Sequence, residues 1–428
     1  MTYPQTLAYL YAQLPMFTRV GETAYRKDLH NTLQLCAAID NPQHKFKTIH
    51  VAGTNGKGSV SHSLAAILQT AGYKTGLYTS PHLKDFRERI RINGQMIPEQ
   101  NVIDFVAQNQ HLFGQLSPSF FEVTVAMAFD YFANEAVDIA VIEVGLGGRL
   151  DSTNIINPLL SIITNIGYDH VNILGNTLPK IAFEKAGIIK HKTPVVIGEY
   201  NSDTKPVFLA KAEEQHAPIL FASQQFELVY DEMKGDYRAL ELVNTENQSR
   251  IKLALDLTGS YQTKNIVTIL SAISQLKKTG FTINNTHLVT ALKQVKSLTG
   301  LNGRWQTLQK KPLIICDTGH NQDGINEVLK NINNLTYNKL HIVLGMVSDK
   351  DTHKILSLLP QNARYYFCAP SLPRALPAQQ LQADAWVLGL AGDFYASVID
   401  ALTAAKIKAS DDDFIFVGGS TFVVAEVV

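Results

Sequence analysis

One turn constrains this chain more than any other stretch. Thr48-Ile49-His50-Val51-Ala52 reads as a short buried strand and runs directly into Gly53-Thr54-Asn55-Gly56-Lys57-Gly58-Ser59. From residue 59 to residue 71 the apolar positions Val60, Leu64, Ile67 and Leu68 recur at helical spacing, and Gly72 stops the run. Strand, glycine-rich loop and helix, in that order, frame a phosphate site. Small residues let backbone N–H groups converge on phosphate oxygens, Lys57 adds a point charge, and the helix N-terminus adds its dipole. The strict pattern, GxxxxGK followed by Ser or Thr, fails twice here. Val51 stands at the first glycine position and Gly58 follows the lysine. An ordinary glycine turn is the rival reading, but the presence of both Lys and Ser in this setting favours phosphate.

The same alternation of buried strand and amphipathic helix runs through the rest of the chain. Further strands are expected at residues 77–79, 139–144 and 160–164, the second of them nearly all apolar, as a strand covered on both faces must be. From about residue 194 to residue 256 the texture changes. Alternating stretches such as Phe226-Glu227-Leu228-Val229-Tyr230 predict strands outside the main sheet. Helical spacing returns at 265–278 and 287–295, and Ser297-Leu298-Thr299-Gly300-Leu301-Asn302-Gly303 reads as a linker. Beyond it, strands at 313–316, 341–344 and 414–417 alternate with helices. The expected fold is α/β throughout. An N-terminal P-loop domain with a mainly parallel sheet and a smaller accessory β region covers residues 1–298, and a C-terminal Rossmann-like α/β domain covers 299–428.

Composition narrows the function classes. Thirty-eight basic and 38 acidic side chains leave a formal charge of zero in 428 residues. There is no long-range pull towards nucleic acid or an acidic membrane. The three cysteines, Cys36, Cys316 and Cys368, are too scattered for a disulfide framework or a zinc knuckle, which suits a reducing compartment. The N-terminal residues lack the form of a signal peptide, and no apolar run is long enough to span a bilayer. A cytoplasmic protein is the expectation.

In an open parallel sheet, ligands bind beyond the carboxyl ends of the strands. Thr79-Ser80-Pro81-His82 follows one expected strand, Glu143 ends another, and Tyr168-Asp169-His170 follows a third. A hydroxyl, a carboxylate and an imidazole suffice for Mg²⁺, which keeps waters and shares phosphate oxygens. Lys185 is the odd residue. It shares a helical face with Leu178, Ile181 and Ala182. Either its stem packs while the amine reaches water, or the amine sits in a dry site where its neutral form can react.

Taken together, these segments resemble a known family. The loop at Gly53–Ser59 is similar to the phosphate loop of the Mur ligase superfamily, in its folylpolyglutamate synthase and dihydrofolate synthase branch. Thr79-Ser80-Pro81-His82-Leu83 with Glu88-Arg89-Ile90, and the run from Val141 through Glu143 and Gly145-Leu146-Gly147-Gly148-Arg149 to Asn154, carry the same resemblance. So do Glu184-Lys185-Ala186-Gly187, Gly303-Arg304-Trp305, Asp317 to Asn321, and Leu344-Gly345-Met346 with Asp349-Lys350-Asp351. The matches keep the family's order along most of the chain. Only 52 residues precede Gly53, where Mur ligases of peptidoglycan synthesis carry a further domain, so the folate branch, and within it the bacterial bifunctional members, is the expected one.

The resemblance implies an ATP-dependent amide ligase that adds L-glutamate to dihydropteroate, to the tail of reduced folates, or to both, through an acyl phosphate. It implies that Gly53, Thr54, Asn55, Gly56, Lys57, Gly58 and Ser59 bind ATP together with Asn265, Arg304, Asp317 and His320. It puts Ser80, Glu143 and His170 on Mg²⁺-ligand positions and Lys185 on a carbamylated lysine that also reaches the metal. Lys57, Lys185, His170 and Arg304 become the catalytic candidates. His82, Phe120, Phe121, Glu122, Val123, Leu150, Asp151 and Ser152 become the substrate-binding ones. A monomer acting on small molecules, without nucleic acid or membrane, is implied. Two departures stand out. The family often has Ala-Leu-Asp-His where this chain has Gly167-Tyr168-Asp169-His170. It usually has Asp-Gly-Ala-His-Asn-Pro where Asp317-Thr318-Gly319-His320-Asn321-Gln322 stands, which bears on the turn carrying Asp317. The rival readings are a monofunctional folylpolyglutamate synthase, another Mur-type amino-acid ligase, and a nucleotide-binding protein that ligates nothing.

Overall fold

The computed structural model describes residues 1–16, 21, 28–348 and 351–428. Asp349 and Lys350 of the last family-like run lie outside the described residues. The chain divides into two compact units, Met1–Asp256 with Gln262–Leu301, and Leu257–Tyr261 with Asn302–Val428.

In the first unit, eight strands form one sheet: β1 (Lys47–Ala52), β2 (Thr75–Tyr78), β3 (Ile90–Ile92), β4 (Gln95–Met96), β5 (Ile139–Glu143), β6 (Leu160–Ile163), β7 (Val195–Ile197) and β8 (Ile219–Phe221). Their order is β4-β3-β2-β5-β1-β6-β7-β8. All neighbours from β2 to β8 pair in parallel, and β3 and β4 close one edge as antiparallel strands. β5 is buried at every position, which explains its unbroken apolar run. Register then places the site. Val51 of β1 stands beside Glu143 of β5 and Ile162 of β6, so the phosphate loop, Glu143 and the segment after Ile163 leave the sheet along one edge. The chain goes from β1 to one side of the sheet first, and from β6 onwards to the other. Their loops therefore part at this point, which makes the crevice that α/β sheets use for ligands.

The 194–256 region divides differently from the expectation. β7 and β8, joined by the Lys205–Glu214 helix, extend the main sheet in parallel. Only β9 (Phe226–Lys234), β10 (Tyr237–Asn244) and β11 (Arg250–Leu255) stand apart, as a three-stranded antiparallel sheet. Three-residue strands carry too little pattern to show which sheet they join.

The expected linker is also corrected. Val295–Thr299 is helical, with Gly300 at φ +69° ending it. Tertiary contacts fix this segment. Gln69 Nε2 donates to the Leu298 carbonyl at 3.0 Å, and His62 Nδ1 lies 2.9 Å from the buried Thr299 hydroxyl. Gly94, at φ +77°, approaches so closely that a Cβ would overlap the Leu298 carbonyl oxygen.

The second unit is a six-stranded sheet of β12 (Gln306–Lys310), β13 (Leu313–Cys316), β14 (Leu340–Gly345), β15 (Arg364–Cys368), β16 (Gly392–Phe394) and β17 (Phe414–Gly418), ordered β12-β13-β17-β14-β15-β16. Only β12 is antiparallel to its neighbour. Side chains alternate between two cores. Ile315, Ile342, Leu344 and Phe416 pack with Trp305, while Ile314, Val343, Val417 and Tyr366 pack on the other face.

Gly94→Ala is expected to destabilise the first unit by about 1–3 kcal/mol, since it combines a left-handed backbone with a backbone clash. Urea denaturation followed by circular dichroism, with an unchanged midpoint as the contrary result, checks this.

Candidate active site

The phosphate loop is shaped by two glycines and welded to the end of β6. Gly53 and Gly56 have φ of +150° and +83°. A Cβ on Gly53 would overlap the Thr164 hydroxyl, and one on Gly56 would lie 2.5 Å from Asn265 Oδ1. The Thr164 hydroxyl donates to the Asn55 carbonyl. Asn165 accepts from Thr54 N–H through its carbonyl at 3.0 Å and from Asn55 N–H through Oδ1 at 2.8 Å. These bonds occupy the amides of the outer loop. The Lys57–Thr70 helix starts at once, so the N–H groups of Lys57, Gly58 and Ser59 have no intrahelical acceptor, the arrangement that suits an anion at a helix N-terminus. Lys57 Nζ donates to the carbonyls of Gly53 at 3.0 Å and Thr54 at 3.1 Å. Behind the loop, Gln262 Nε2 donates to Ser59 Oγ at 3.1 Å, and Asn265 Nδ2 donates to Gln262 Oε1 at 2.8 Å. Asn265 is thus placed directly against Gly56. Gln262 and Asn165 were not singled out in the sequence, because their role depends on contacts distant in the chain.

Lys185 sits in the same place. It is 4% exposed, in the Leu178–Ala186 helix, and its amine donates to the Gly53 carbonyl at 2.8 Å. The solvent-reaching alternative is excluded. Burial, reinforced by the Lys57 charge and opposed by Asp169 and Asp151, pulls the amine down to about 7. The neutral form is therefore accessible at neutral pH. The helix is held against the loop after β5 by close backbone packing. A Cβ on Gly148 would lie 2.9 Å from the Glu184 and Lys185 carbonyls, and Arg149 N–H donates to the Glu184 carbonyl at 2.7 Å.

Two of the cation candidates stand at strand ends, and His170 precedes the short Val171–Leu174 helix. Glu143 closes β5 and is 4% exposed; Ser80 follows β2 and is half-buried. His170, half-buried at φ +48°, has its backbone N–H bonded to Asp169 Oδ1 at 2.9 Å. Among the described residues no three His, Cys, Asp or Glu side chains group as a metal cage. Two hard oxygen donors and one imidazole, beside a loop shaped for phosphate, suit Mg²⁺, which completes its shell from water and phosphate.

The substrate candidates separate into two groups. His82, Phe120, Phe121 and the 145–152 loop gather near Tyr78 at the end of β2. Phe120 is buried against Tyr11 and Phe86, with ring centroids 5.6 and 5.8 Å away. Phe121 is half-buried and lies on Gly145, where a Cβ would strike its ring. Leu150 and Ser152 are also half-buried. Burial and the Arg89 charge hold His82 down at about 3, hence neutral. Glu122 and Val123 face inwards instead. Glu122 accepts the Ser119 N–H at 2.6 Å in a capping box, and Val123 packs in the core. Asp151 is likewise occupied by its own loop. It accepts from the N–H groups of Leu146 at 2.8 Å and Thr153 at 3.0 Å and from the Thr153 hydroxyl, while burial raises its pKa.

In the second unit, Asp317 organises the turn whose sequence departs from the family pattern. Its carboxylate accepts from Tyr261 OH at 2.6 Å, Trp305 N–H at 2.7 Å and Gly319 N–H at 2.7 Å, and burial raises its pKa. Arg304 Nη1 donates to the Thr318 hydroxyl, and His320 Nδ1 lies 3.0 Å from the Thr318 carbonyl. Asp317 and His320 lie on this turn, and Arg304 bonds to it from the segment before β12.

Comparison with known proteins gives the family. Residues 51–273 match the model of the Mur ligase middle domain, and residues 303–421 match the Mur ligase, glutamate ligase domain. The chain belongs to the Mur ligase family of ATP-dependent ligases. Within it, the chain is 33% identical over 409 residues to the folylpolyglutamate synthase of Lacticaseibacillus casei, covering 91% of this chain and 92% of that protein. It is 33% identical over 381 residues to the dihydrofolate synthase/folylpolyglutamate synthase of Escherichia coli, covering 88% and 85%. Among solved structures, Mycobacterium tuberculosis folylpolyglutamate synthase complexed with ADP and AMPPCP superposes with a TM-score of 0.89 at 28% identity, over 99% of this chain and 98% of that one. The E. coli enzyme in complex with DHPP and ADP gives 0.86 at 28% identity, over 100% and 97%.

Gly56→Ala is expected to weaken ADP binding by about tenfold or more, because the added methyl meets Asn265 and the strained backbone reshapes the cradle. Calorimetric titration with ADP reads this directly.

Proposed function

We propose that this chain joins L-glutamate to a pteroate-type carboxylate, using dihydropteroate, the glutamate tail of a reduced folate, or both. The single observation that carries the reading is the buried Lys185 amine on the phosphate loop. Nucleotide binding alone needs no dry, reactive amine beside it. The names of the relatives supply the substrate class.

The chemistry has two displacements. A carboxylate oxygen of the acceptor attacks the γ-phosphorus of ATP, and ADP leaves. The glutamate nitrogen then attacks the acyl carbon, loses a proton, and phosphate leaves. Both partners in the first step are anionic, so the site must offset their repulsion and the charge of the transition state. On this reading the amides of residues 57–59 hold phosphate oxygens and Lys57 turns from the loop carbonyls to them. Ser80, Glu143 and His170 would hold Mg²⁺, which when bound supplies charge neutralisation at the phosphates. Neutral Lys185 adds through nitrogen to CO₂, losing a proton to solvent. The resulting carbamate places an anion, in place of the amine, beside the cation site.

Purified protein with ATP, Mg²⁺, labelled glutamate and either dihydropteroate or tetrahydrofolate tests the function. Incorporation dependent on the acceptor, with one ADP per bond, is expected. Transfer to tetrahydrofolate alone makes the enzyme monofunctional, and ADP binding without transfer to either acceptor overturns the reading.

Lys185→Ala is expected to lower turnover by about 100-fold or more while ADP affinity stays near wild type. Because the folded amine titrates near 7, protonation removes the form that takes up CO₂. Wild-type activity should therefore fall as pH drops through 7, and bicarbonate-depleted buffer should deepen the fall. An acid limb that ignores CO₂ supply refutes the carbamate.

A further inference from the structure

Arg304 is a half-buried cation held by neutral partners. Its Nη1 donates to the Gly303 carbonyl at 3.3 Å and to the Thr318 hydroxyl. Asp317 is near enough to feel the Arg304 charge, which opposes the rise that burial imposes on the carboxyl, yet its oxygens are taken. One accepts from Tyr261 OH and Trp305 N–H, the other from Gly319 N–H. A guanidinium carries five N–H groups in a rigid plane. Two of them, both on Nη1, go to Gly303 and Thr318. The Nε–Nη2 edge, with the other three, has no partner among the described residues, and such an edge matches two oxygens of a phosphate or carboxylate. A hydroxyl orients the side chain without cancelling its charge, as a carboxylate would.

The backbone around the pair is fixed from both sides. Thr318 N–H donates to the Gly303 carbonyl at 3.0 Å, so the segments that carry the two side chains are tied directly as well as through Asp317. Trp305, next to Arg304, has φ +45°, a left-handed conformation that a bulky residue adopts only at a cost. Its N–H bond to Asp317, at 2.7 Å, holds it there. Strain of this kind persists where the surroundings over-determine it, and the residue it orients is Arg304. Thr318 stands where the family pattern has glycine, and the glycine comes one place later. A Cβ at Gly319 would crowd the Gly324 carbonyl oxygen at 3.0 Å. Position 318 is buried yet accommodates a side chain, and that side chain reaches Arg304.

We propose that Thr318 is a positioning residue for Arg304, its hydroxyl fixing Nη1 so that the Nε–Nη2 edge is left for an anionic oxygen pair of the reaction. The proposal rests on the ligase reading above, in which Arg304 is one of the ATP-binding and catalytic side chains. Thr318 then acts only through Arg304, and its removal changes whatever Arg304 changes.

Steady-state glutamate ligation with ATP as the varied substrate tests this in wild type, Arg304→Ala, Thr318→Val, Thr318→Ser and the double variant Arg304→Ala/Thr318→Val. Valine keeps the branched shape of threonine and removes the hydroxyl. Thr318→Val should lower kcat/KM for ATP by about tenfold, in the same parameter, kcat or KM, that Arg304→Ala changes. Thr318→Ser, which restores the hydroxyl, should stay within about threefold of wild type, and Thr318→Val should add nothing once Arg304 is alanine. An equal loss with and without Arg304 overturns the proposal and makes Thr318 a residue of the turn alone. A serine variant as impaired as the valine one overturns it too, as does a valine variant at the wild-type rate. Should the valine variant not fold, Thr318→Ala carries the same expectation and the same contrary results. Arg304→Ala at wild-type turnover overturns the proposal through Arg304 and leaves the ligase function standing. Wild type that transfers glutamate to neither dihydropteroate nor tetrahydrofolate overturns the pteroate reading itself, and this inference with it.

Discussion

The short set of hydrogen bonds between the phosphate loop and the end of β6 is what the first unit's site depends on. Thr164 and Asn165 accept or donate to the loop at Asn55 and Thr54, and Gly53 leaves room for the Thr164 side chain. Those bonds consume the Thr54 and Asn55 amides, while the N–H groups in the first turn of the following helix have no intrahelical acceptor. The Gly53 carbonyl, held in place by the same weld, becomes the acceptor for Lys185. Loop shape, the first-turn amides and the position of the buried Lys185 amine are thus one geometric decision. It is made by parallel pairing of β1 with β6, which fixes where residues 164 and 165 emerge.

Much of this was legible in the chain because the relevant signals are local. The strand–loop–helix at residues 48–71 carries its own periodicity, and β5 reads as a doubly covered strand from five consecutive side chains. The reading failed where a residue's state depends on a partner far along the chain. Lys185 was open to two interpretations, since its helical face is apolar either way. What decides is a carbonyl 132 residues earlier. The 297–303 stretch has the composition of a linker, yet Gln69 and His62 hold its first residues in a helix.

Arg89 shows the same limit from the other side. The Glu88-Arg89-Ile90 run entered the sequence reading only through its family likeness, and nothing local in it shows that Arg89, in the helical turn before β3, and Arg91, within β3, are both buried. Glu122 and Asp151 mislead in the opposite sense. As acids within family-like loops they look available to a ligand, whereas each accepts nearby backbone N–H groups. A carboxylate near the start of a helix or turn is as often a cap as a contact, and only its hydrogen bonds distinguish the two.

Tyr261 has a consequence for how the protein is connected. Its hydroxyl bonds to Asp317, yet residues 262–301, which follow it, fold with the first unit. The chain therefore visits the second unit for five residues, returns, and leaves again. No single cut separates the units intact. A fragment beginning after residue 301 forfeits the phenol that fills one oxygen of a buried carboxylate, and a ribosome exposes that phenol before any of the strands it will serve have been made.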